Sequence, residues 1–396
     1  MSKQLFIQSG VFPELSFAEL LSVLSSFGLH RECVSRYGKH IFLLNIDEKI
    51  TSQLARIIFL RLGGAIRLGE IIEDIDSFEM NAEDGKKVTF GISILGEGKK
   101  NDSAVLKKLA NGIKKQLREN KISSRFVLPQ HKDISLNAAQ IIKNNILSEG
   151  FELVLIRNGY QEIYGKTLEI QDLEGFVGRD IKRPESNLQM GTLPPKLARI
   201  MVNLTGLKNG VIWDPFCGSG TLLMEAAVLG FDFLASDIDP RAVIDTENNI
   251  KWLLGEGQIT ENTYYSAFQF DILKPDQGIV NKLKHTDIDA IVCEPYMGPP
   301  QTRILSVEYA NKLLEDVKRL YRKLFELIDE KLQKRGIKVV MILPSYKTDK
   351  GWRTFGIREL VGKRWTVKNT TLVQEDLKWM RKNSIITRNI FILERT

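Results

Sequence analysis

Apolar and polar positions along this chain follow two periods, and the order in which they occur predicts its architecture. Apolar runs of about four to eight residues read as strands, and apolar residues recurring every three to four positions read as helices. Near the N-terminus the run QLFIQS is followed by Ser16-Phe-Ala-Glu19, which has capping-box spacing ahead of the apolar LLSVL. HIFLLNI reads as a strand, and residues 51–62 as a helix that ends at Gly63-Gly64. Residues 1–70 are therefore expected to form a small α+β unit.

The same alternation runs from about residue 85 to 165. VTFGISIL, RFVL and FELVLIRN read as strands. AVLKKLANGIKKQL reads as an amphipathic helix with Val105, Leu106, Leu109, Ile113 and Leu117 on one face, and LNAAQIIKNNIL as a second helix. Residues 170–195 are polar and rich in turn formers (Gly175, Gly178, Pro184, Gly191), as a linker would be. Pro194-Pro195 suits the start of a helix continuing through KLARIMVNL. From residue 207 onward GVIWD, FLASD, AFQFD, DAIVCEP and KVVMILPS are strand-like runs separated by helical stretches. The segment 306–334 has one long apolar stripe, and IITRNIFIL is a last strand. Strands alternating with helices predict an α/β fold with a doubly wound, mostly parallel, Rossmann-like sheet. The expected division is 1–70, 71–168, a linker at 169–195, and 196–396.

Composition narrows the class. In 396 residues, 43% are apolar and 27% charged, which is ordinary globular usage and excludes a disordered or collagen-like chain. No apolar run approaches the roughly 18 residues of a membrane helix, so no membrane partner is expected. The opening MSKQLFIQSGVFPELSF lacks an apolar core with a small-residue cleavage site, so no secretory signal is expected. Cys33, Cys217 and Cys293 form no C-x-x-C pair, and the histidines do not cluster. A reducing cytoplasm and no metal site are the expectation.

Charge is concentrated. The net charge is +7, yet residues 98–132 carry Lys99, Lys100, Lys107, Lys108, Lys114, Lys115, Arg118, Lys121, Arg125 and Lys132 against only Asp102 and Glu119. Such a stretch is either a solvated helix face or the footprint of a polyanion binder, since each neutralised phosphate releases a counterion. A second basic stretch spans 363–388.

The candidate chemistry follows the strands, because open α/β sheets bind ligands beyond the carboxyl ends of their strands. The first is followed by Asp214-Pro-Phe-Cys-Gly-Ser-Gly-Thr221. Gly218 and Gly220 allow a sharp turn and close backbone approach, and no lysine is present for a triphosphate. The leading carboxylate suits a ligand carrying positive charge, such as the ammonium and sulfonium of S-adenosylmethionine. Asp237, after the second strand, could accept from ribose hydroxyls, and Asp271, at the end of the third, from an adenine amine. Each could instead be a helix N-cap, which is the better reading for Asp239 before Pro240. The fourth strand ends at Cys293-Glu294-Pro-Tyr-Met-Gly-Pro-Pro300. A carboxylate (Glu294) and a carbonyl fixed by Pro295 can accept the two hydrogens of an exocyclic base amine and localise its lone pair. Tyr296, or Met297, could stack on the base, which must first be swung out of its helix. A plain turn with a solvent-facing Glu294 is the alternative.

DPFCGSGT, then SDID, then an acid-Pro-Tyr tetrad resembles the class I S-adenosylmethionine-dependent amino-methyltransferases. Arg179-Asp-Ile-Lys-Arg-Pro184 with GTLPPKLARIMVNLTG is similar to the THUMP-domain tRNA guanosine N2-methyltransferases, over roughly residues 165–300. The order of a ferredoxin-like unit and a THUMP-like unit, with LNAAQIIKNNIL and Tyr164-Gly-Lys-Thr167, resembles that family too. The resemblance implies direct, in-line methylation of guanosine N2 in tRNA, or another structured RNA, without a metal. It implies that Asp214, Phe216, Gly218, Gly220, Thr221, Asp237 and Asp271 hold S-adenosylmethionine, and that Glu294, Pro295 and Tyr296 are catalytic. It places Lys107, Lys108, Lys114, Lys115, Arg118 and Arg125 on RNA, and allows for the small activating partner protein that eukaryal relatives use. The family usually has Asp-Pro-Pro-Tyr where Glu294-Pro-Tyr-Met297 stands; glutamate is one methylene longer and the aromatic comes one position early. Two other functions fit the same residues: a DNA adenine-N6 methyltransferase, and a non-catalytic RNA-binding protein that retains the fold.

Overall fold

The structure, a computed structural model, describes residues 4–47, 50–73, 87–96, 98–130, 133–159, 161–186, 192–332 and 334–396. Lys132 and Gly191 lie outside the described residues. The chain divides into two compact units. One comprises Met1–Pro13, Leu29–Leu60 and Ala65–Leu173; the other comprises Glu14–Gly28, Arg61–Gly64 and Glu174–Thr396.

The first unit is built on eight strands: β1 (Gln4–Ser9), β2 (Val34–Arg36), β3 (Ile41–Asn45), β4 (Ala65–Ile72), β5 (Val88–Gly96), β6 (Ser124–Val127), β7 (Gly150–Asn158) and β8 (Gln161–Ile170). Their order is β2-β3-β1-β4-β8-β7-β5-β6. Only the β5–β6 and β5–β7 pairs are parallel. Helices α1 (Pro13–Ser26), which from Glu14 on is part of the second unit, α2 (Ser52–Arg61), α3 (Asp102–Glu119) and α4 (Ala138–Lys143) fall between these strands in sequence. Three strands were not expected; besides the short β2 these are β4 and β8, which join the segments 1–70 and 71–168 into one sheet. Neither shows clean alternation. Their pairing depends on Phe6, whose ring lies so close that a side chain at Gly69 or Gly165 would come within 2.2 or 2.7 Å of it. The expected α3 stripe buries Leu106, Ala110, Ile113 and Leu117 against Val88, Phe90, Ile92 and Ile94 of β5. The second expected helix is shorter than its apolar pattern. Asn137 and Gln140 cap α4 at its start, and Asn145 turns left-handed (φ 53°) just beyond it. Glu152 is wholly buried but satisfied, accepting from Ser93 Oγ and Thr167 Oγ1 at 2.5 Å each and pairing with Arg67 at 3.3 Å.

The second unit carries β9 (Val211–Asp214), β10 (Asp232–Asp237), β11 (Tyr265–Gln269), β12 (Ala290–Cys293), β13 (Lys338–Thr348), β14 (Gly351–Arg353), β15 (Trp365–Val367), β16 (Lys378–Trp379) and β17 (Ile386–Arg395). The main order is β11-β10-β9-β12-β13-β17-β15. From β11 to β13 every neighbour is parallel, and β17 enters antiparallel to β13. This is the expected doubly wound, mostly parallel, Rossmann-like sheet. Around it lie α5 (Leu173–Val177), α6 (Pro195–Asn203), α7 (Thr221–Val228), α8 (Pro240–Gly255), α9 (Gln277–His285) and α10 (Val307–Leu327). The α10 stripe, with Leu313, Leu314, Val317, Tyr321, Leu324 and Phe325, closes over Trp213, Ile291, Val339 and Met341 of the sheet.

Two expectations change here. Ser16 and Glu19 lie inside α1 and are not its cap. Buried Glu19 instead accepts from the Gly63 and Gly64 N–H groups at 2.7 and 2.8 Å and from Asn203 Nδ2 at 2.7 Å. Burial pushes its carboxyl up to about 7, against those hydrogen bonds. Part of the expected linker is packed: α5 leads into a π turn, Gly178–Lys182, whose Arg179 is buried. The carboxylate of Glu225 on α7 takes Arg179 Nε at 2.5 Å and Arg199 Nε at 2.7 Å. Phe176 lies against the Arg199 guanidinium at 4.7 Å. No helix among the described residues is long and apolar enough to cross a membrane.

Candidate active site

Parallel neighbours place the ends of β9, β10 and β12 side by side, so residues distant in sequence converge at one edge of the sheet. Asp214 is the last residue of β9 and is 2% exposed. Its Oδ1 accepts from the Phe216 N–H at 3.0 Å. Burial holds its carboxyl well above the usual carboxylate range, opposed by that hydrogen bond, and the charges of Asp237 and Glu294 push it further up. The loop then turns through Gly218 (φ 52°) and Gly220 (φ 80°) into α7, whose N-terminus has no side-chain cap. A side chain at Gly220 would lie 2.9 Å from Thr246 of α8, whereas one at Gly218 would meet open space. Thr246 Oγ1 donates to the Gly218 carbonyl at 2.9 Å, and Asn249 Nδ2 to the Ser219 carbonyl at 2.8 Å.

Asp237 closes β10 and shapes the same loop. Its two oxygens accept from the N–H groups of Gly218 and Asp239, each at 3.0 Å. Burial raises its carboxyl too, while those hydrogen bonds oppose the rise. Asp239 caps α8 through the Arg241 N–H at 2.9 Å, as its position before proline suggests. Asp271 does not end a strand: β11 stops at Gln269, and the Asp271 carboxylate accepts from the Leu273 N–H at 2.8 Å. Ile238 and Leu273, 61% and 44% exposed, place apolar side chains in solvent just after Asp237 and Asp271. Burial, then the Asp214 charge, pushes the thiols of Cys217 and Cys293 up.

Glu294 follows β12 directly. Its Oε1 accepts from Arg388 Nε of β17 at 2.5 Å, with both side chains largely shielded. This pair spans 94 positions, and the sequence pointed to Arg388 only as part of the second basic stretch. The loop after Glu294 is fixed through its carbonyls. Buried Tyr321 donates to the Tyr296 carbonyl at 2.9 Å and buried Tyr346 to the Met297 carbonyl. Gly298 is left-handed (φ 82°), and a side chain there would press within 3.0 Å of the Tyr346 hydroxyl. The Tyr296 ring is left outward, 57% exposed. Phe216 packs against the sheet core, and the Thr221 hydroxyl accepts from Arg183 Nη1. The cleft between Leu283–Ile288 and Leu332, Lys334 and Ile337 lies at the opposite, amino ends of β12 and β13, away from these residues.

In the first unit, Lys107, Lys108, Lys115, Arg118 and Arg125 are exposed and Lys114 is half-buried over the Phe126 ring at 5.8 Å. Lys115 pairs weakly with Glu119 at 3.9 Å, and Arg125 donates to Asn144 Oδ1 at 3.1 Å. The polar face of α3 is thus cationic and set against its buried stripe.

A family model described as RMKL-like, methyltransferase domain, matches residues 183–363, which include the Asp214 loop and Glu294. A model described as DNA methylase matches residues 40–248, more than half of the chain. The tRNA (guanine(10)-N2)-dimethyltransferase of Methanothermobacter thermautotrophicus is 25% identical over 97% of this chain and 96% of its own length. The enzyme of that name from Methanocaldococcus jannaschii is 28% identical over 42% of this chain and 45% of its own. Among solved structures, precorrin-6y C5,15-methyltransferase from Geobacter metallireducens aligns with a TM-score of 0.33 at 13% identity, covering 55% of this chain and 96% of that one. The chain belongs to the methyltransferase family that the DNA methylase model describes, and over residues 183–363 it is similar to the RMKL-like methyltransferase domain.

Proposed function

We propose that this methyltransferase moves a methyl group from S-adenosylmethionine to the exocyclic N2 of a guanosine in tRNA. The observation that carries the reading is the carboxylate cluster at the ends of β9, β10 and β12. Burial and the charges of Asp237 and Glu294 disfavour the ionised form of Asp214 unless a cation joins it. The ammonium and sulfonium of S-adenosylmethionine match that demand, and its sulfonium methyl is the electrophile of the reaction. Asp214 would take the ammonium, Asp237 the ribose hydroxyls, and the open side of Gly218 would admit the ligand's backbone approach. Ile238 and Leu273 would cover the adenine faces, beside Asp271.

With Oε1 held by Arg388, Glu294 keeps Oε2 for one hydrogen of the acceptor amine. The Tyr296 and Met297 carbonyls already accept from buried tyrosines, so the Pro295 carbonyl is the acceptor for the other hydrogen. Two acceptors localise the nitrogen lone pair and point it at the methyl carbon. As the N–C bond forms, the S–C bond breaks, and one amine proton leaves toward Glu294 or solvent. Tyr296, outward on a fixed loop, would stack on the flipped base. Lys107, Lys108, Lys114, Lys115, Arg118 and Arg125 supply a phosphate-binding face. The similarity along nearly the whole chain to a tRNA (guanine(10)-N2)-dimethyltransferase supports guanosine N2 and tRNA.

A second reading, adenine-N6 methylation of DNA, draws on the DNA methylase match, which ends at residue 248, before Glu294. Purified protein incubated with S-adenosylmethionine and either unmodified tRNA or duplex DNA separates the two by nucleoside mass spectrometry. N2-methylated guanosine in the tRNA is expected; methylated adenine confined to the DNA would refute the proposal.

A further inference from the structure

Arg183 stands out as a charged group without a sufficient partner. It is 3% exposed, and among the described residues its one hydrogen bond runs from Nη1 to the hydroxyl of Thr221, the first residue of α7. Its Nε and Nη2 are buried with no hydrogen-bond partner. These two nitrogens share the side-on edge of the guanidinium, the edge that grips a carboxylate through two parallel hydrogen bonds. A buried donor left unsatisfied costs about 1–3 kcal/mol, and more when it is charged. The other buried arginines of this segment and α6, Arg179 and Arg199, have the Glu225 carboxylate; among the described residues no carboxylate forms an ion pair with Arg183, on which the Asp180 charge acts from farther away.

Its surroundings belong to the ligand loop. Glu185 N–H donates to Asn249 Oδ1 at 3.0 Å, and Asn249 Nδ2 donates to the carbonyls of both Glu185 and Ser219, at 2.9 and 2.8 Å. The chain just after Arg183 is thereby fastened to the Gly218–Gly220 turn. That turn opens α7, whose uncapped first N–H groups and positive dipole end also favour an anion.

We infer that Arg183, with the first turn of α7, forms a carboxylate subsite that takes the α-carboxylate of the methyl donor's amino-acid portion. The inference rests on the S-adenosylmethionine reading above. It divides the two charges of that portion: the ammonium goes to Asp214 and the carboxylate to Arg183.

The test uses the full chain without RNA, so that only binding is read. Titration calorimetry compares S-adenosylmethionine, its decarboxylated form, which differs only by the carboxylate, and methylthioadenosine, which lacks the whole amino-acid portion. Wild type should prefer S-adenosylmethionine over the decarboxylated form by about 10–100-fold. Arg183→Met should lose that preference while holding methylthioadenosine within a few-fold of wild type. Arg183→Lys, which keeps the charge without the two-pronged edge, should fall between and serves if the Met variant does not fold. Equal affinity of wild type for the carboxylated and decarboxylated donors overturns the subsite alone. Equal weakening of all three ligands by both variants also overturns it, leaving Arg183 as a structural group. If wild type binds none of the three, the donor reading falls, and the subsite with it.

Discussion

Asp214 carries opposite demands from the fold and from the proposed ligand, and Asp214→Asn separates them. Asparagine has the same shape, and its Oδ1 can keep the Phe216 N–H bond now at 3.0 Å. What disappears is a buried negative charge that also faces Asp237 and Glu294. The folded-state pKa of Asp214 lies above its unfolded value, so the folded chain holds this proton more tightly. Below the unfolded pKa, near ~3.9, both states are protonated and the carboxyl adds no penalty. As pH rises from there through the folded pKa, stability is lost, by about 1.4 kcal/mol per pKa unit of difference. The variant should therefore melt higher than wild type at pH 8 without ligand. For a domain of this size each kcal/mol is worth roughly 2–4 °C, and the gap should shrink as the pH falls toward ~4. Ligand binding should move the other way. Losing a charge-assisted hydrogen bond removes about 1.5–3 kcal/mol, which is on the order of 10–150-fold in Kd for S-adenosylhomocysteine. Circular-dichroism melts at several pH values and calorimetric titration measure both. A variant less stable than wild type at pH 8, or one binding the ligand equally well, would refute the reasoning.

Further changes probe the rest of the site and the basic face of α3. Glu294→Gln should abolish methyl transfer while calorimetric affinity for S-adenosylhomocysteine stays within a few-fold, and Arg388→Met should lower kcat about 10–100-fold by releasing the carboxylate it orients; restoration of stability in the Glu294→Gln/Arg388→Met double variant would identify the loss in Arg388→Met as an unpaired charge. Gly220→Ala, which forces a side chain within 2.9 Å of Thr246 at φ 80°, should lower the melting temperature and weaken donor binding together, read by the same melts and titrations. Charge reversal of Lys107, Lys108 and Arg118 should leave donor affinity unchanged but flatten the salt dependence of tRNA binding, the log–log slope falling by up to about three in filter-binding measurements.

The repeating strand-and-helix pattern after residue 207 and the Asp214-to-Thr221 loop were legible because each rests on neighbours in sequence: period, glycine placement and a terminal acid. The same holds for the cap at Asp239 and the stripe on α3. The eight-stranded sheet of the first unit was not, because β4 and β8 have no strong local pattern and owe their pairing to Phe6 filling the space that Gly69 and Gly165 leave. Nor was the true work of Ser16 and Glu19, whose spacing imitates a cap while burial turns them toward Gly63 and Gly64. At the candidate site, sequence alone named the acids but not the groups that pair with them. Which residue grips Glu294, and that Arg183 lies buried with Nε and Nη2 unpaired, depend on chain segments far apart in number meeting in space. Local chemistry determined the elements and the candidate acids; only long-range packing decided which charges are paired, which are buried and which still await a partner, because burial and pairing are properties of what surrounds a group in space.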